Sequence, residues 1–103
     1  MEQAALQTRF DELKQQWKKE TAALSSVTAI LLNKNYLSII ALGPVVVPLI
    51  LKDLAEDLDH WFLALEVLTG HVIELPGNKN MTDHQAAWLA WGKEHFNAPP
   101  PNA

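Results

Sequence analysis

Four histidines, His60, His71, His84 and His95, are the only soft metal ligands in this sequence, which has no cysteine. Two helical imidazoles meet over one ion when they stand four residues apart. No pair has that spacing, and His84 and His95 are three helical turns apart, so these side chains are expected at or near the surface without a metal. Acid–base chemistry needs carboxylates set together, and Asp53, Glu56, Asp57 and Asp59 do cluster. Their expected work is to solvate a turn and complement the N-terminus of the next helix. Glu66 interrupts the most apolar stretch, HWFLALEVLTG, where a buried carboxyl would need a basic partner. The simpler expectation is that it marks the one solvent-facing stripe of that helix. No glycine-rich phosphate loop, Gly-x-Ser-x-Gly elbow or Cys–His pair is present. The sequence therefore offers no catalytic residue and implies no cofactor.

The elements that would position these side chains read as helices. From Glu2 to Leu24 the residues Leu6, Phe10, Leu13, Trp17 and Leu24 recur at helical steps, with Glu, Gln and Lys on the other faces. Glu20 breaks this seam where the next apolar residue is due. A short helix, SSVTAILL, follows with a serine as N-cap, and Asn33-Lys34-Asn35 reads as the turn that ends it. The segment from Tyr36 closes at Gly43, suited to a left-handed helix end, and Pro44 opens the next helix. Pro48 argues against a central strand in VVVPLILKDLAEDL and for a helix that is irregular or kinked there. Asp57 or Asp59 caps the helix ending at Gly70, which is apolar almost all round and expected to be the central, most buried one. A loop of about ten residues, HVIELPGNKNM, precedes a last helix opened by the Thr82-x-x-Gln85 capping box and running to about Phe96. Pro99, Pro100 and Pro101 leave residues 98–103 as an extended tail.

With 103 residues, the chain suits one domain, residues 1–97, in an all-α bundle of about five helices. Apolar residues make up 49% and charged ones 19%, which places it among folding chains. A formal charge of −4 gives no field for a phosphate backbone, so nucleic acid is not an expected partner. A helix–turn–helix reading of Ser25–Leu42 has only Lys34 for phosphate contact. Absence of cysteine fits a reducing cytoplasm, and the mixed charges of MEQAALQTRFDELKQQWKK lack signal-peptide order. The longest uncharged stretch ends at Leu51, is too short to span a bilayer and holds Gly43, Pro44 and Pro48, so no membrane partner is expected.

The stretch IIALGPVVVPLILKDLAEDLDHWFLALEVLTG, within residues 36–70, resembles a HEAT repeat: a helix ending in glycine, a proline-containing helix, and a third element packed behind. The resemblance implies a local helical hairpin, and one such unit makes no solenoid. The whole chain also resembles a group of short bacterial helical proteins that share a tyrosine, a glycine-to-VPLIL segment, WF-AL-TG and a final AWL-WG. No active site follows from that likeness.

The surplus of this sequence is aromatic and apolar. Leu6, Phe10, Leu13 and Trp17 form one seam, and Trp88 and Trp91 sit with Leu89 and Phe96 on the last helix. Either group packs on the core or meets another chain, a second copy or a different protein. The preferred expectation is a non-catalytic interaction module: an adaptor, an antitoxin-like neutraliser or a small subunit. The alternative is a small-ligand binder or minor enzyme with a pocket between the central hairpin and the last helix, using Tyr36, His60, Glu66 and Trp91. A closed pocket with convergent polar groups favours the second, and an exposed aromatic patch the first.

Overall fold

The computed structural model describes residues 3–75, 77 and 80–95. Among these residues the regular elements are all helical: α1 (Gln3–Thr21), α2 (Val27–Leu31), α3 (Lys34–Ala41), a 3-10 turn (Pro44–Val46), α4 (Val47–Glu56), α5 (Phe62–Thr69) and α6 (Met81–His95). The all-α class read from the sequence is the class observed. The helices group into two compact units, Met1–Val46 and Val47–Ala103.

The first unit is built on the apolar stripe of α1. Leu6, Phe10, Leu13, Trp17 and Thr21 are buried, and the stripe packs on α3. Trp17 is fully buried, its ring tilted against Tyr36 at 4.9 Å. Its indole Nε1 donates to the Ile30 carbonyl at 3.0 Å, so the polar edge of the ring is satisfied. The helix stops at Thr21, short of the expected Leu24, which is exposed. Glu20, the break in the seam, is a clamp: Oε1 accepts from Asn33 Nδ2 at 3.0 Å and Asn35 Nδ2 at 3.1 Å, and Oε2 from Gln16 Nε2 at 2.9 Å. Those bonds, Asn33's foremost, hold its carboxyl below the usual range, with Lys34 adding to the effect.

Caps set the next two boundaries. Ser26 Oγ accepts from Ala29 N at 3.3 Å and caps α2. The Asn33-Lys34-Asn35 triplet does more than end α2, because Asn33 Oδ1 accepts from Asn35 N at 2.9 Å and starts α3. Gly43 at φ 92° leaves the helix in the left-handed region as expected.

In the second unit α4 carries the densest burial: Val47, Leu49, Ile50, Leu51, Asp53 and Leu54. Pro48 is its second residue, where a missing N–H costs nothing. The irregularity is thus the change from 3-10 to α geometry at Val46–Val47.

The expectation that the helix after it is the most buried is corrected. On α5 only Ala64 and Leu65 are buried, while Leu63 and Val67 are exposed, because the eight-residue helix packs on α4 and the rest of its apolar surface stays uncovered. Neither Asp57 nor Asp59 caps it. Trp61 holds the N-cap position with no side-chain cap bond, and Asp59 Oδ1 accepts instead from His60 N at 2.8 Å. Asp53 also leaves the expected solvated cluster. It is 7% exposed and accepts from Trp61 Nε1 at 2.9 Å, pairing a buried carboxyl with a buried indole.

The last helix begins one residue before the expected cap. Asp83 N donates to Asn80 Oδ1 at 3.0 Å and Asn80 N to Asp83 Oδ2 at 3.3 Å, so the reciprocal box is Asn80-x-x-Asp83 and not Thr82-x-x-Gln85. Phe96 and the tail 98–103 lie outside the described residues. No single helix among the described residues is long and apolar enough to cross a membrane.

Candidate binding groove between α4 and α6

Within the second unit α6 turns one face to α4. Gln85, Trp88, Leu89 and Gly92 follow at helical spacing, with Trp88 and Gly92 buried. Gln85 Nε2 donates to the Leu54 carbonyl at 2.7 Å. Leu54 stands in the last turn of α4, where carbonyls have no partner within the helix, so the bond satisfies an otherwise open acceptor. At Gly92 a Cβ would stand 2.7 Å from Leu51 Cδ1, so the two helices approach more closely there than a side chain would allow.

Beside this contact runs a groove of about 480 Å³, half open to solvent, lined by Pro48, Leu51, Lys52 and Ala55 of α4 and Leu89, Gly92 and Lys93 of α6. Its lining is apolar apart from one lysine from each helix. No carboxylate takes part, although the second unit's sequence holds Asp53, Glu56, Asp57, Asp59, Glu66, Glu74, Asp83 and Glu94 against Lys52, Lys79 and Lys93. Among the described residues neither Lys52 nor Lys93 forms an ion pair. The arrangement can therefore accept an apolar surface and offer it two flanking ammonium groups.

The residues singled out from the sequence lie elsewhere. Leu6, Phe10, Leu13 and Trp17 face inward in the first unit, 0–6% exposed, so the seam covers that unit's own core and is not displayed to another chain. Trp88 is likewise buried, 1% exposed. Trp91 is half-buried and stacked on two imidazoles, His71 at 5.5 Å and His95 at 4.5 Å, with Trp88 edge-on at 5.3 Å. Of the four residues suggested for a pocket, Tyr36 belongs to the first unit, while His60, Glu66 and Trp91 belong to the second. None of the four lines the groove, whose walls are α4 and α6. Glu66 is half-buried between the exposed Leu63 and Val67. Among the described residues no three or more His, Cys, Asp or Glu side chains could together hold a metal ion.

The groove lies where the second expectation put a pocket, between a helix of the central hairpin and the last helix, but with other lining residues, and one sequence signal points to them. Gly92 sits inside AWLAWGK, and glycine within a helix costs roughly 1 kcal/mol against alanine, which marks a position where another backbone or side chain comes close.

No protein-family model, curated protein or solved structure matches the chain.

Proposed function

We propose that the chain is a non-catalytic protein–protein interaction module that receives a segment of another polypeptide in the groove between α4 and α6. The observation that carries this reading is the groove's character: an apolar floor along two packed helices, half open to solvent. Small-molecule sites bury most of their ligand and converge several polar groups on it. A half-open trough instead suits a partner that continues past its edges. Its volume of about 480 Å³ takes a few apolar side chains, the usual number of anchors in a helix-in-groove contact. As an adaptor, antitoxin-like neutraliser or small subunit, the module would act in the cytoplasm by occupying its partner, with no cofactor.

Photo-crosslinking in cells tests the reading. A benzoylphenylalanine at position 55 or 89, in the groove, is expected to trap a second polypeptide, and one at position 24 of the first unit is not. The crosslink is expected to disappear when Lys52 and Lys93 are both changed to glutamate. Equal crosslinking from all three positions, or a small molecule retained in the groove by native mass spectrometry, would overturn the reading.

A further inference from the structure

We propose that the groove's partner is an amphipathic helix whose apolar face is flanked by carboxylates. This inference rests on the reading of the groove as a protein-docking surface. Three observations select that chemistry. The floor, formed by Leu51, Ala55 and Leu89 beside the buried Gly92, offers a mainly apolar surface along two helices. The two charges in the lining are both positive and come one from each wall, Lys52 from α4 and Lys93 from α6. The surrounding unit is strongly acidic, and two of its three lysines stand in the groove. A basic partner would meet a more favourable charge on the acidic remainder of the unit.

The acidic surroundings raise a competing effect, because the unit's net field repels a carboxylate at long range. At physiological salt the more distant of those acidic charges are screened beyond about 8 Å. The acids nearest the lysines, Glu56 one turn from Lys52 and Glu94 beside Lys93, do not line the groove, where a docked carboxylate would meet the ammonium groups directly. Local attraction therefore decides the bound geometry, and the distant charges slow the approach. The same comparison sets other occupants aside. A membrane surface is held by clusters of about four to eight basic residues, and this groove has two. A free acyl carboxylate would leave much of its chain in water in a half-open trough.

Fluorescence anisotropy with the full chain and two labelled helical peptides of roughly 20 residues, long enough to be helical, tests the proposal. Both carry the same leucine stripe, flanked by glutamates in one and by lysines in the other. The acid-flanked peptide is expected to bind at least about tenfold more tightly, as close charge pairs discriminate between partners by that order. Lys52→Glu with Lys93→Glu is expected to reverse the preference. Both lysines are exposed, so the fold should persist, and Lys52→Gln with Lys93→Gln, which should abolish the preference without reversing it, is the milder control. Equal binding of both peptides, lost on filling the groove by Ala55→Trp, would overturn the acidic partner while leaving the docking surface standing. Binding of neither peptide, or preferential binding to vesicles rich in anionic lipid, would overturn both.

Discussion

Trp61→Phe is expected to cost the second unit roughly 3–5 kcal/mol, through the bond between the indole and Asp53. Trp61 is fully buried and Asp53 is 7% exposed, with Nε1 donating to Oδ2 at 2.9 Å. Losing the bond leaves a buried acceptor short of a donor, which costs about 1–3 kcal/mol. The smaller ring also gives up apolar contact worth about two methylenes, near 1.6 kcal/mol at the usual value for buried CH₂ groups. The sum is at least a fifth of the stability of a typical small domain, about 5–15 kcal/mol. Urea denaturation followed by far-UV circular dichroism measures it without relying on the lost fluorophore. Repeating the substitution in an Asp53→Leu background isolates the pairing as the difference between the two costs, because the bond is already absent there. If Trp61→Phe costs less than about 1 kcal/mol, or costs the same in both backgrounds, the pairing of Asp53 with Trp61 does not hold the unit together.

Four further outcomes follow from the same geometry. Leu65→Ala, at a fully buried position of α5, is expected to cost about 2–5 kcal/mol by urea denaturation, and a loss under about 0.5 kcal/mol would contradict its burial. Gly70→Ala should cost about 1 kcal/mol from backbone strain alone, since φ is 70° and no atom lies near the added Cβ. Because the folded state lowers the pKa of Glu20 from 4.5, its contribution is full above that value and lost as pH falls through the folded value. Glu20→Gln should therefore flatten the acid side of the Tm–pH profile below about pH 4.5, and a profile parallel to that of the unaltered chain would refute the clamp. Gly92→Ala sets a gain of roughly 1 kcal/mol in helix propensity against the 2.7 Å approach to Leu51 Cδ1; Leu51 lines the groove and must shift, so stability should change little while peptide binding weakens.

The features legible in the sequence are those set by short-range chemistry. The α1 stripe, the Ser26 cap and the glycine-to-proline boundary at Gly43 need only local rules. The failures come where two local solutions compete and distant contacts choose. Asn80-x-x-Asp83 and Thr82-x-x-Gln85 both fit a capping box, and the first is used because Gln85 is engaged 31 residues away at Leu54. Asp53 reads as one of four similar acids until Trp61 is seen to reach it. A helix apolar all round, as α5 is, reads as central, yet its burial depends on how many neighbours cover it. The groove's lining residues were hidden for the same reason, since its walls are 41 positions apart at Leu51 and Gly92.

The central claim, that the α4–α6 groove receives a partner's helix, is tested most directly by nitrogen–proton correlation NMR of the labelled chain during titration with the acid-flanked peptide. Saturable shifts are expected, centred on Leu51, Lys52, Ala55, Leu89, Gly92 and Lys93, with the first unit's Leu6, Phe10, Leu13 and Trp17 unmoved. Shifts centred on the first unit, or spread evenly over the chain without saturation, would contradict that claim.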